Sequence, residues 1–354
     1  MKQFCSGMAA LVLMASVPAT VRAGMMLTPA GVATGFQLTT FADNFPFDSA
    51  TRAGPLGIAF TPGGGVMVTD FPGNVRVFPT DTDGQRAASV PVAQNYGLSN
   101  AVGLAVVGGK YYMTQQANGD VVQVNPNGTF NSVLVSGIPN ATGVVAVNPV
   151  NGHLFVDTVL DNQIIQIDPV SRTKTLFASA QADGLAVNAT GTILYAALRS
   201  ANHEDVVGYS IATGNLLFDS GAIPGGVDGI AIGNGVLAGN LYVNTNEGTL
   251  VQINLTTLAM ETLAAGGSRG DFVTADPNGS LLISQTDSVL RLAPPPGGGL
   301  GGPGGGVTSS EPPSLTLLGI GCAGLVGYLW QRRKTAGKHP PRHSPIRLET
   351  CAAI

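Results

Sequence analysis

The chain has 354 residues, 44% hydrophobic and 11% charged, and a formal net charge of −4. The charge is uneven: residues 24–293 hold 9 Lys and Arg against 19 Asp and Glu, whereas residues 331–354 hold 6 Lys and Arg against a single acid. An acidic central segment argues against nucleic-acid binding, which requires phosphate neutralisation. All three cysteines, Cys5, Cys322 and Cys351, lie outside that segment, so it has neither a disulfide nor a thiolate metal site.

The first 23 residues have the pattern of a secretory signal peptide. Lys2 provides the positive start, residues 4–17 the apolar stretch, and Val21-Arg22-Ala23 a cleavage pattern ahead of Gly24. A retained N-terminal helix is the alternative, but the apolar stretch is too short to span a membrane. We therefore expect an exported protein.

A recurring pattern, x-G-[LIV]-A followed by two apolar runs, marks six repeats within residues 24–293. Successive copies start 46, 40, 41, 45 and 43 residues apart. A period of about 40–50 residues built from short strands is typical of a β-propeller, so we predict an all-β domain of six blades. The copies begin at Leu56-Gly57, Val102-Gly103, Thr142-Gly143, Asp183-Gly184, Asp228-Gly229 and Asp271-Phe272.

The sixth repeat ends one strand early, because Pro294 follows its third strand signal at residues 288–292. We expect residues 35–41, ahead of the first repeat, to supply the missing strand and close the ring. Closure of this kind leaves no long unpaired edge between the first and last blades. An open solenoid is the alternative, but it would need capping units and none is evident.

These strand starts resemble the six-bladed propellers of the NHL, streptogramin-lyase and gluconolactonase group, over residues 35–293. The resemblance specifies a fold far better than a function.

The residue before each repeat glycine is expected to stand at the mouth of the central channel. Around the ring this places Asp183, Asp228 and Asp271 on three consecutive blades, with apolar or neutral residues opposite. Converging carboxylates need a shared proton, a hydrogen-bond donor or a cation, and a calcium-like divalent ion takes such oxygen ligands. The alternative is that each Asp only caps a turn.

Gluconolactonase-like enzymes hold a divalent metal with a Glu, an Asn and an Asp at blade starts. The resemblance places Leu56 at the Glu position and Asp183 at the Asn position, whereas Asp228 matches. We therefore expect a non-catalytic binding or scaffold protein that uses an acidic channel face, with a metal-dependent lactonase or hydrolase as the alternative. His203 is expected in a long loop over residues 199–205 and could act as a general acid or base. The alternative is that it has no functional role, as is more often the case for an exposed loop histidine.

Beyond residue 293 the composition changes abruptly. Residues 294–310 form a Pro/Gly-rich linker, residues 315–330 an uncharged span of about 24 Å as a helix, and residues 335–354 a basic tail. Residues 311–334 resemble a PEP-CTERM sorting signal, carried by Glu311, Pro312 and the basic end Arg332-Arg333-Lys334. The resemblance implies processing by an exosortase, transient anchoring in the inner membrane, and an envelope or extracellular destination with an exopolysaccharide partner. A plain C-terminal anchor is the alternative.

Overall fold

The computed structural model of the chain describes residues 24–141, 143, 146–200 and 203–295. These residues form an all-β, six-bladed propeller, as predicted. The predicted signal peptide, most of the predicted linker, the predicted sorting signal and the predicted basic tail lie outside the described residues. Within the described part, no helix is long and apolar enough to cross a membrane.

Each blade is an antiparallel sheet of four main strands, counted here from the channel outward. The strands are Pro55–Phe60, Val66–Asp70, Asn74–Phe78 and Val92–Asn95 in blade 1; Leu104–Val107, Lys110–Gln115, Asp120–Val124 and Phe130–Val135 in blade 2; Ala146–Val147, Leu154–Thr158, Gln163–Asp168 and Thr173–Ala178 in blade 3; Ala182–Val187, Ile193–Ser200, His203–Ser210 and Leu216–Asp219 in blade 4; Val227–Ile232, Asn240–Thr245, Leu250–Asn254 and Met260–Ala265 in blade 5; and Val273–Ala275, Leu281–Ser284, Val289–Ala293 and Gln37–Asp43 in blade 6.

The hydrophobic core is divided into six wedges, one between each pair of neighbouring blades. Both faces of a blade are therefore covered, and second strands such as Leu154–Thr158 and Asn240–Thr245 are buried throughout. Outer strands such as Thr173–Ala178 are exposed along most of their length. This decrease in burial from the inner to the outer strands explains why the sequences of the inner strands are nearly continuous apolar runs.

The N-terminal strand closes the ring as predicted. Gln37–Asp43 pairs antiparallel with Val289–Ala293, and its outer edge is covered by the short parallel strand Gln85–Arg86. Before it, Met26–Leu27 pairs with the outer strand of blade 5, and the short helix Pro29–Ala33 follows. Covering both edges protects them from pairing with another chain.

Arg291 ties the closing blade together. Its guanidinium contacts Asp81, lies 2.7 Å from Asp83 and 2.5 Å from Asp276, and stands 5.6 Å from the centre of the Phe41 ring. Two of these carboxylates come from the loop after the third strand of blade 1, so one buried cation joins the two ends of the propeller.

The repeat glycine allows neighbouring first strands to approach each other at the channel. A Cβ added at Gly57 would lie 2.5 Å from the carbonyl oxygen of Val102 in the next blade, and one at Gly184 would lie 2.2 Å from that of Asp228. Backbone cannot move aside as a flexible side chain can. The glycine therefore permits closure of the ring and has a steric role.

In blades 1, 4 and 5 the residue before that glycine belongs to a β-bulge. The register skips from Ala182 to Leu185 in blade 4 and from Val227 to Ile230 in blade 5, so each x-G pair faces a single residue of the second strand. A bulge leaves its extra residue unpaired and re-aims the side chain. The bulge is the local reason that Asp183 leaves the regular alternation of its strand.

Candidate functional site

Three aspartates, Asp183, Asp228 and Asp271, lie near one another on consecutive blades. Asp183 and Asp228 occupy the bulges of blades 4 and 5, and Asp271 stands two residues ahead of the first strand of blade 6. Their side chains are only 13%, 4% and 5% exposed. The structure thus brings three carboxyl groups from consecutive blades into a largely buried cluster, which we call the Asp mouth.

Two arginines, which the sequence reasoning did not assign to the site, neutralise this cluster. Arg199 donates a hydrogen bond from Nη1 to Oδ2 of Asp183, and the same nitrogen lies 3.8 Å from Oδ2 of Asp228. Arg269 approaches Oδ1 of Asp271 with Nε at 2.7 Å and Nη2 at 2.5 Å. The side chains of Arg199 and Arg269 are 38% and 28% exposed, so the guanidinium groups are more accessible to solvent than the carboxyl groups that they contact.

Two carboxyl oxygens of the Asp mouth are left unsatisfied. Oδ2 of Asp228 and Oδ2 of Asp271 are buried and accept no hydrogen bond from any described residue. A buried acceptor without a donor costs about 1–3 kcal/mol, and more when it is charged. Such atoms are either protonated or satisfied by a molecule that enters the site.

The pKa of Asp228 is raised by its surroundings. Burial, followed by the nearby carboxylates of Asp183 and Asp271, raises its pKa well above the usual 3.8, against the opposing effect of Arg269 and Arg199. Burial also raises the pKa of Asp271 to about 6, although Arg269 opposes the change. The Asp mouth therefore combines two ion pairs, Arg199 with Asp183 and Arg269 with Asp271, with a third carboxyl group whose pKa is raised.

The opposite side of the channel is apolar, as the sequence indicated. Leu56, Val102 and Phe272 are buried together, and the partly buried Phe71 packs against them. Phe272 replaces the repeat glycine, and its role in this cluster was not foreseen. Thr142, the remaining ring position, lies outside the described residues.

Second-strand side chains hold the backbone of the mouth in place. The hydroxyl of Ser284 accepts hydrogen bonds from the backbone N–H groups of Asp271 and Phe272, at 3.2 and 2.7 Å. Asn244 donates to the carbonyl oxygens of Phe272 and Ser284, at 3.0 and 2.9 Å. In blade 1, Thr69 donates to the carbonyl oxygen of Val102 at 2.6 Å.

Turn capping does not describe the carboxylates of Asp183 and Asp271, because both accept from arginine side chains. The expected long loop over residues 199–205 was also wrong. The second strand of blade 4 continues through Arg199 to Ser200, which pairs directly with His203 at the start of the third strand. Extension of this strand is what carries Arg199 to the Asp mouth.

Other acids of the domain differ in their exposure. Asp70 is buried and paired with Arg76 at 2.6 Å, and Asp157 and Asp205 are buried, whereas Glu247 is exposed. Within the described residues, no group of three or more His, Cys, Asp and Glu side chains has the arrangement of a metal site. With two guanidinium groups among the carboxyls, the donor set of the Asp mouth is unlike that of a calcium ion, which takes oxygen ligands.

No family model matches the chain, and no curated protein matches it. Solved structures do share its fold. A gluconolactonase from Xanthomonas campestris is 16% identical with a TM-score of 0.60, over 79% of this chain and 97% of its own. An oxidoreductase from Thermus thermophilus, named as a glucose dehydrogenase, is 20% identical with a TM-score of 0.55, over 73% and 100%.

A Trichoderma reesei protein of Carbohydrate-Active Enzymes family AA12 is 12% identical, with a TM-score of 0.60 over 79% of this chain and all of its own. A streptogramin B lyase structure is 13% identical, with a TM-score of 0.50 over 73% and 99%. At these identities the similarity establishes the architecture, and activity has to be argued from the site. The chain is a six-bladed β-propeller whose structural neighbours include gluconolactonase, glucose dehydrogenase and streptogramin B lyase structures.

Proposed function

We propose that this chain is an exported, envelope- or matrix-associated propeller that binds a ligand at the Asp mouth without converting it chemically. The observation that carries the proposal is the alternation of carboxyl and guanidinium groups there. Two of the carboxyl oxygens lack donors and the two arginines are reachable from solvent. Such a site offers hydrogen-bond acceptors and donors side by side.

The chemistry of the site favours a neutral, hydroxyl-rich ligand. A cation would meet Arg199 and Arg269 first, and an anion would meet the carboxylates immediately beneath them. A hydroxyl group can both donate and accept a hydrogen bond. Neighbouring hydroxyls of a glycan can therefore donate to the carboxyl oxygens of the Asp mouth and accept from the guanidinium N–H groups beside them. The apolar side of the channel, with Phe71 partly exposed beside Leu56, offers a surface for the C–H face of a sugar ring.

Binding of neutral glycans by the full-length protein tests this proposal. We expect retention on immobilised neutral tetrasaccharides in the presence of EDTA, and loss of retention in Asp228→Leu. That variant removes an acceptor and also removes a buried ionisable group, so the fold should survive. Asp168→Asn is the control, because Asp168 is engaged in its own turn with Ser171. Retention that is unchanged in Asp228→Leu would refute the proposal.

A metal-dependent lactonase or hydrolase is the second candidate, favoured by the fold shared with a gluconolactonase. In that case Asp183, Asp228 and Asp271 would have to hold the ion, and the arginines would have to release them. Leu56, buried in the apolar cluster, offers no ligand. Stoichiometric divalent metal after dialysis, together with lactone hydrolysis abolished by Asp228→Leu, would establish the enzyme.

Export and sorting form a further part of the proposal. We propose that the segment around Glu311 and Pro312 is cut by an exosortase, with residues 315–330 and the basic end at Arg332-Arg333-Lys334 as the transient membrane anchor. Mass spectrometry of the protein recovered from the cell envelope or medium tests this. An intact C-terminus at Ile354 in the recovered protein would contradict it.

A further inference from the structure

A cavity lies where the loops of blade 6 meet the N-terminal segment. It has a volume of about 720 Å³, which is in the range of small-molecule sites. None of the three aspartates of the mouth lines it. The lining residues that matter here are Met25, Phe47, Arg52, Ser268, Gln285 and Thr286.

Arg52 has no charged partner in this cavity. Among the described residues its guanidinium forms no ion pair or hydrogen bond, whereas the arginines of the Asp mouth and of the closing blade are paired. The nearest acid in the turn, Asp48, is already engaged, because its Oδ2 accepts from the backbone N–H and the hydroxyl of Thr51, both at 2.7 Å. The side chain of Arg52 extends from a left-handed backbone with φ of 64°, fixed by a 2.7 Å hydrogen bond from its N–H to the Asp48 carbonyl.

A hydrogen-bonding group on the cavity wall is also unsatisfied. Thr286 is 7% exposed, and its hydroxyl has no hydrogen-bond partner among the described residues. Its backbone N–H is held at 2.8 Å by the hydroxyl of Ser268. Gly267 packs closely against Gln285, since a Cβ at position 267 would lie 2.3 Å from Oε1 of Gln285. The wall is therefore polar and contains one buried hydroxyl group that has no hydrogen-bond partner among the described residues.

We propose that this cavity binds a small organic ligand that carries a single carboxylate. Arg52 supplies the fork of N–H donors that matches a carboxylate, and the Thr286 hydroxyl donates to the same group or to its neighbour. Met25 and Phe47 contact the apolar part of the ligand. A monoanion fits better than phosphate because one guanidinium is available and Asp287 also lines the cavity.

The test compares ligands of matched size. Binding of D-glucuronate, D-glucose and inorganic phosphate to the full-length protein is measured by ligand-observed NMR at constant ionic strength. We expect D-glucuronate to bind about tenfold more tightly than D-glucose, a factor equivalent to about 1.4 kcal/mol, and phosphate not to displace it at equal concentration. In Arg52→Gln the preference for D-glucuronate should disappear.

The chain contains a matched control. Arg172 has the same left-handed backbone, with φ of 59°, in the same kind of turn, and its N–H donates to the carbonyl of Asp168 at 2.9 Å. It does not line the cavity, so Arg172→Gln should keep the preference. Equal binding of the two sugars by the wild type, a preference that survives Arg52→Gln, or displacement by equimolar phosphate would each overturn the proposal.

Discussion

Replacing Asp228 by Asn should stabilise the protein at neutral pH and leave its stability unchanged in acid. The carboxyl is buried beside two other carboxylates, so its folded-state pKa lies well above the ordinary 3.8. Between those two pKa values the folded protein holds a proton that the unfolded chain has lost. The wild type therefore loses stability as pH rises through this window, while Asn, which cannot titrate, does not.

The size of the effect follows from proton linkage. One proton is worth about 1.4 kcal/mol of unfolding free energy per pH unit, so the advantage of Asp228→Asn should grow at that slope from about pH 4 upward. It should level off once the folded-state pKa of Asp228 is passed. For a domain of this size each kcal/mol corresponds to about 2–4 °C in Tm.

Thermal unfolding of the wild type and the variant at pH 4, 5, 6, 7 and 8, at constant ionic strength, measures the stability gap, which is the difference in Tm between Asp228→Asn and the wild type. Asp168→Asn supplies a control of opposite sign. Hydrogen bonds from the Ser171 hydroxyl and the Val170 N–H hold the pKa of Asp168 below its usual value, so its loss should destabilise at neutral pH and matter less in acid. A gap for Asp228→Asn that does not change with pH, or that favours the wild type at pH 7, would refute the reasoning.

Three further changes probe the ring. Gly57→Ala should lower the free energy of unfolding by about 1–3 kcal/mol, because the new Cβ would collide with the backbone of the next blade. Gly63→Ala is the control and should change Tm little, because a Cβ there has nothing within 4 Å. Arg291→Met should cost about 3–5 kcal/mol because it leaves the buried carboxylate of Asp276 without its cation. Arg86→Ala, at an exposed ion pair, should cost less than about 1 kcal/mol, and urea unfolding measures both. Deleting residues 24–43 should expose the edge of blade 6 and produce aggregates in size-exclusion chromatography; a monodisperse, folded product would contradict closure by the N-terminal strand.

The repeat spacing was sufficient to predict the number of blades and the closing strand. Both depend on local patterns, namely the x-G-[LIV]-A starts and the early end of the sixth repeat at Pro294. The repeat also singled out three aspartates, because Asp183 and Asp228 directly precede the repeat glycine and Asp271 precedes Phe272 at the corresponding position.

The partners of those aspartates could not be read from the repeat. Arg199 reaches the Asp mouth because the second strand of blade 4 continues to Ser200, in a region where the sequence indicated a loop. Arg269 lies only two residues from Asp271, and asking what neutralises three converging carboxylates could have identified it. The apolar role of Phe272 depends on side chains of blades 1 and 2 meeting across the channel, which no local pattern encodes.

A crystal structure of the protein soaked with a neutral tetrasaccharide that it binds is the most direct measurement of the central proposal. We predict sugar hydroxyls within hydrogen-bond distance of Oδ2 of Asp228 and Oδ2 of Asp271, with Arg199 and Arg269 still paired to their carboxylates. A divalent ion held by Asp183, Asp228 and Asp271, with both arginines displaced, would contradict it.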